Sequence, residues 1–82
     1  MATKRLKYVL YQGKINSTTS KIINSGTTPR PYTREALIKE LNGLYGIESR
    51  GGLKYDGRCG LYTIYKTKPD SRGIYNVLHI ER

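Results

Sequence analysis

Residues 31–46, PYTREALIKELNGLYG, decide the fold, because here the apolar residues recur at helical spacing. Ala36, Leu37, Leu41 and Leu44 lie on one side of a helix, and Ile38 and Tyr45 widen the stripe. Thr33 is placed to cap the helix, its hydroxyl accepting from a first-turn backbone N–H. Tyr32 before the cap and Leu37 four residues after it have the spacing of a hydrophobic staple. Glu35 suits the positive N-terminal end. Gly43 or Gly46 supplies the stop. A leucine stripe of this kind reads as core packing rather than as a docking face for a partner helix.

Outward from the helix the period changes to two. In residues 5–12, RLKYVLYQ, Leu6, Tyr8 and Leu10 alternate with Lys7, Val9 and Tyr11, and the first set faces the core. Gly13 marks a bulge or the approach to a turn. Residues 16–20 are turn-like, and residues 21–25, KIINS, return as a second strand of an N-terminal hairpin. Residues 26–31, with two prolines, read as a loop. After the helix come the short run 47–50, Gly51 and Gly52 as a two-residue hairpin turn, the run 53–55, and Asp56 with Gly57 as a second turn. Residues 60–67 and 74–80 alternate strongly around the turn 68–73, which Pro69 opens, and make a C-terminal hairpin. The expected class is α+β. Residues 1–82 form a single small basic domain, a twisted antiparallel sheet with one main helix packed on one face. The other face is then wet or meets a partner.

The chain has 82 residues and one cysteine, so no disulfide framework supports its small core. Self-association as a homodimer would add buried area. Apolar runs fall well short of the roughly 18 residues that span a bilayer. The basic start, MATKRLKYVL, lacks the apolar stretch and cleavage site of a secretion signal. Asn16, Ser17 and Thr18 match a glycosylation acceptor but read better as a polar turn. The expected setting is therefore cytoplasmic, with no membrane partner, and the lone Cys59 suits a reducing compartment.

Net charge is +9, from 15 Lys and Arg against 6 Asp and Glu. Residues 1–34 hold Lys4, Arg5, Lys7, Lys14, Lys21, Arg30 and Arg34 and no acid; the first acid is Glu35. Charge loaded into one segment opposes compaction and fits an anionic partner better than a solubility role.

Residues 50–60, RGGLKYDGRCG, look most like a site. Within them GLKYDGRC has the outline of a phosphate loop, but Arg58 and Cys59 stand where Lys and a hydroxyl are needed, and a strand follows instead of a helix. One Cys and one His cannot close a zinc site, so no metal and no cofactor are expected. His79 alternates in phase with Tyr75 and Val77 and reads as structural or as surface. A metal-free ribonuclease would need His79, Arg72, Tyr75 and Arg58 to converge.

There are eight tyrosines and no Phe or Trp, and several lie beside bases: Lys7 and Tyr8, Arg30 and Tyr32 across Pro31, Lys54 and Tyr55. Cations hold phosphates while exposed rings stack on unpaired bases. No RRM, KH or zinc-finger signature is present, and the short mixed-charge helix is a poor major-groove reader.

The chain as a whole, with the opening MATKRLKYVLYQGKINSTTSKI, is similar to small phage-encoded accessory proteins that act on host machinery or counter host defences. The resemblance carries over no functional residue. It implies a binder or inhibitor rather than a housekeeping enzyme, acting in the host cytoplasm. The leading expectation is a non-enzymatic RNA-binding protein of low sequence specificity. Its contacts would be Lys4, Arg5, Lys7, Lys14, Lys21, Arg30, Tyr32, Arg34, Arg50, Lys54, Tyr55 and Arg58, with Tyr32 and Tyr55 stacking on bases. The alternative is an inhibitor covering an acidic site on a host protein, and the third reading is the ribonuclease.

Overall fold

A computed structural model describes residues 4–18 and 20–81, with the backbone alone for Arg50. Five antiparallel strands form one sheet: β1 (Lys7–Lys14), β2 (Ser20–Thr27), β3 (Lys54–Cys59), β4 (Tyr62–Lys66) and β5 (Ile74–Glu81). Their order across the sheet is β2-β1-β5-β4-β3. The first and last strands are therefore neighbours at the centre. The single α-helix, α1 (Arg34–Leu44), lies on the path from one edge strand to the other. The α+β expectation holds.

The period-two reading of β1 places its core face correctly. Leu10 pairs with Leu78 and Tyr8 with Ile80. Leu6, Leu10, Leu78 and Ile80 are buried in one cluster with Leu37 and Leu41 of α1, Ile47 and Leu53. Thr33 caps α1, its Oγ1 accepting from the Ala36 N–H at 3.1 Å, and Gly46 leaves the helix with a φ of +65°. Leu44, assigned to the apolar stripe, is instead 65% exposed at the helix end. The stripe is narrower than the spacing implies, because Leu37 and Leu41 alone reach the sheet deeply enough to be buried.

The greatest departure from the sequence reading lies between α1 and β4. Gly51 and Gly52 do not turn a hairpin. Residues Ile47–Arg50 form a 3₁₀ turn that buries Ile47, and both glycines, at φ +91° and +73°, carry the chain out of it. The side chain of Asn42 secures that exit, its Oδ1 accepting from the Leu53 N–H at 3.1 Å. Asp56 and Gly57 are not a turn either. They form a bulge inside β3, where the register shifts between Tyr55 and Gly57. The hairpin turn is Gly60 and Leu61, joining the paired residues Cys59 and Tyr62, with a positive φ at its first position. Two-residue hairpins of that form need glycine there. On the other side of the helix, β2 runs on to Thr27, so the loop read over 26–31 begins later.

Buried polar groups fix the register of the central strands. Asn76 is buried in β5, and its Nδ2 donates to the Tyr11 carbonyl of β1 at 3.3 Å. Its backbone N–H donates to Thr67 Oγ1 at 2.9 Å. Thr28 Oγ1 accepts from the Leu6 N–H at 2.9 Å and donates to the Arg30 carbonyl at 2.8 Å, closing the chain against β1 before the helix. Thr63 is the exception, since its buried Oγ1 has no hydrogen-bond partner among the described residues.

Two substitutions test this packing by urea denaturation. Leu78→Ala, at a fully buried position, lowers stability by about 3 kcal/mol. Thr63→Val removes an unpartnered hydroxyl at nearly constant volume and raises stability by about 1 kcal/mol. A loss on Thr63→Val would mean that the hydroxyl is satisfied after all.

Candidate nucleic-acid interface

Alternation sends every second residue of each strand away from α1, and no element among the described residues covers that face. Its composition follows from the register. Ser25, Val9, His79, Ile64 and Gly57 form one row across the five strands. Ile22, Tyr11, Val77, Lys66 and Lys54 form the next. Ser20, Gly13 and Tyr75 continue it on one side, and Tyr62 stands beside Glu81 on the other.

Four rings lie across the three central strands. The His79 imidazole is 5.0 Å from the Tyr11 ring, at an interplanar angle of 61°, and 5.7 Å from the Tyr62 ring, at 41°. Tyr75 joins Tyr11 and His79 around a shallow hollow of about 190 Å³. Gly13 makes room for it: a Cβ there would lie 2.7 Å from Cζ and Oη of Tyr75. Glycine at position 13 is thus a close-approach residue, and the Tyr75 ring fills the space it leaves. Tyr62 is 40% exposed, and the other three rings are half-buried.

Burial pushes the His79 imidazole below its ordinary pKa. It is neutral at neutral pH and serves as a flat aromatic surface rather than a cation.

The residues singled out in the sequence are not gathered on this face. Lys7 and Lys54 belong to it by register. Lys14 and Lys21 sit at the end of the β1–β2 hairpin, with Gln12 and Ser17 around a separate hollow. Arg30, Tyr32 and Arg34 gather at the start of α1, where the Arg30 guanidinium lies 5.2 Å from the Tyr32 ring centroid. Tyr32 also packs against the core and donates to Glu40 Oε1 at 3.2 Å, so its ring is a structural wall. Lys4 and Arg5 are exposed ahead of β1. Arg58 pairs with Thr63, whose side chain points into the core, so it belongs to the helix side of edge strand β3. Tyr55 is 63% exposed on that same strand, edge-on to Tyr65 at 5.8 Å. The side chain of Arg50 lies outside the described residues. The cations of residues 1–34 and of residues 50–60 therefore lie towards opposite sides of the sheet, and of them only Lys7 and Lys54 belong to the open face by register.

The ribonuclease constellation is likewise divided. His79 and Tyr75 share the open face, whereas Arg58 stands on the helix side and Arg72 in the β4–β5 turn. Among the described residues no three His, Cys, Asp or Glu side chains are grouped to hold a metal, and no helix is long and apolar enough to cross a membrane.

Tyr11, Tyr62, Tyr75 and His79 were absent from the predicted contacts. Their phase along each strand was readable, but their meeting requires β5 between β1 and β4, which no local pattern encodes. Comparison with protein-family models, curated proteins and solved structures finds no match for this chain.

Two measurements test the face. Gly13→Val forces the Tyr75 ring off β1, and the ring-proton shifts of Tyr75 in an NMR spectrum move, with a stability loss of about 1–3 kcal/mol. Unchanged Tyr75 shifts would contradict the close approach. The second is a pH profile. The folded protein binds the His79 proton less readily than the unfolded chain. Its contribution to stability is complete above the unfolded value of about 6.5 and is lost as pH falls through the lower folded value. Acidification from pH 7.5 to 5.5 therefore lowers stability, and His79→Gln flattens that part of the profile.

Proposed function

We propose that this protein binds single-stranded nucleic acid, RNA in the first instance, with little sequence specificity and without catalysing a reaction. The observation that carries this reading is the run of rings Tyr62, His79, Tyr11 and Tyr75 across the uncovered face of the sheet. Every base has a π-face, so such rings accept unpaired bases without reading their edges. A sheet face cannot reach bases stacked inside a duplex, which favours single strands.

The charge of the whole molecule supports the same partner. A net charge of +9 attracts a polyanion over long range. Short-range contacts to phosphate fall to cations flanking the rings, Lys7 on one side and Lys54 and Lys66 on the other. Of the expected stacking pair, Tyr32 is engaged by Arg30 and Glu40, and Tyr55 is exposed on the opposite face of the sheet, so on this reading the platform is the four rings of the open face.

Titration of a fluorescent single-stranded RNA against the protein tests this. Tyr62→Ala, at an exposed position that leaves the core intact, weakens binding by about tenfold, the scale of one base–ring stack. Affinity falls linearly with log salt, with a slope of about −0.7 for each phosphate neutralised. Binding indifferent to salt and to Tyr62→Ala, or equal affinity for duplex RNA, would overturn the reading.

A further inference from the structure

At the corner of the sheet where β3 begins and β4 ends, residues 51–52, 54–56 and 66–69 line a cleft of about 550 Å³. That is within the size range of small-ligand sites. Lys54, Lys66 and Lys68 all line it. Lys54 and Lys66 are direct cross-strand partners. Like charges placed opposite each other destabilise a sheet, so this pair is a local violation of the rules that the rest of the strand obeys. One carboxylate answers the three ammonium groups: Asp56 Oδ2 lies 3.3 Å from Lys66 Nζ, both side chains about half exposed. Among the described residues no carboxylate lies within ion-pair distance of Lys54 or Lys68. Tyr55 also lines the cleft, although its ring packs edge-on to Tyr65 on the helix side, and Gly51 has nothing within 4 Å of its missing Cβ.

We infer that this cleft is a phosphate site, and that it takes backbone phosphates of the strand whose bases lie on the open face. The inference rests on the proposed function, because Lys54 and Lys66 stand in the same row of the sheet as Tyr11 and Val77 and so join the cleft to the ring platform. A phosphate held among Lys54, Lys66 and Lys68 offsets the repulsion of the Lys54–Lys66 cross-strand pair. Asp56, which is paired with Lys66, competes with the incoming anion.

The experiment uses the full chain, wild type and three variants: Lys54→Gln with Lys68→Gln, Asp56→Asn, and Tyr62→Ala. Removing like charges does not unfold a strand pair, so the double variant is expected to melt no lower than wild type. Inorganic phosphate should shift the backbone amides of Lys54, Tyr55 and Lys68 in wild type and not in the double variant. The double variant should lower the salt slope of single-stranded RNA binding by about 1.4, the loss of two phosphate contacts. Asp56→Asn should tighten RNA binding by about threefold, the scale of one exposed ion pair. An unchanged slope in the double variant, or weaker binding on Asp56→Asn, overturns the inference. If Tyr62→Ala still weakens binding in that case, the platform stands and the cleft alone falls. A nucleoside monophosphate that occupies the cleft while RNA does not compete for it also overturns the assignment to backbone phosphate.

Discussion

The pairing of the first strand with the last is the constraint on which the rest of this structure depends. With β1 and β5 at the centre, each terminal hairpin can only add strands outward, β2 on one side and β4 with β3 on the other. The chain must then travel from one edge of the sheet to the opposite edge between β2 and β3. The helix is how it makes that journey while burying something. Eleven residues of helix span about 16 Å, against roughly 19 Å for four inter-strand spacings. The 3₁₀ turn and the Gly51–Gly52 exit supply the remaining reach, and Asn42 ties that exit back to the helix.

A single crossing can cover only one face. This explains the division of the tyrosines, which the composition alone left unexplained. Tyr8 and Tyr45 sit at the rim of the core, packed against it by their rings while their hydroxyls donate to Asn24 Oδ1 and the Ile23 carbonyl. Phenylalanine there would leave these acceptors of the edge strand without a side-chain donor. Tyr11, Tyr62 and Tyr75 are on the uncovered face, where a ring that is apolar in its body and polar at its tip tolerates water. The same residue type thus serves two faces for two reasons, and a small core is rimmed with side chains that need not be fully dry.

Legibility followed sequence distance. The helix, its Thr33 cap, the core phase of β1 and the C-terminal hairpin were readable because each is encoded within about twenty consecutive residues. The segment 47–61 misled because glycine has several uses. Gly51 and Gly52 end a 3₁₀ turn, Gly57 sits in a bulge, and Gly60 makes the turn, yet all four carry the same positive-φ signal. Pattern alone assigns turns to Gly51–Gly52 and to Asp56–Gly57, whereas the hairpin turns at Gly60 and Leu61. The candidate site was hidden for a different reason. The acid-free charge of residues 1–34 and the base–tyrosine neighbours are linear features, and adjacent residues in a strand point to opposite faces. Lys54 and Tyr55 are neighbours in sequence, but by register they belong to opposite faces of the sheet. The groups that meet are instead Tyr11, His79 and Tyr62, drawn from three strands far apart in the chain.

Charge and aromatic surface are therefore separated in space, and the separation has a functional consequence. The molecule measures 38 × 26 × 19 Å, and most of its excess cations lie off the open face. The Debye length is about 10 Å at 0.1 M salt. Cations at the sheet edges and the helix start can draw a polyanion toward the protein, yet most are too distant to fix individual phosphates over the central rings. Under the proposed function, selectivity for unpaired strands comes from the rings, which a duplex cannot satisfy, and strength at low salt from the surrounding charge. The Lys54–Lys66 pair is where the two systems touch. It places positive charge in the row of the rings, at the cost of an unfavourable cross-strand contact. That contact is tolerable on a short edge-proximal ladder already interrupted by the Asp56 bulge. At the centre, where Leu10 faces Leu78 and the whole sheet is held, the same contact would be far more damaging.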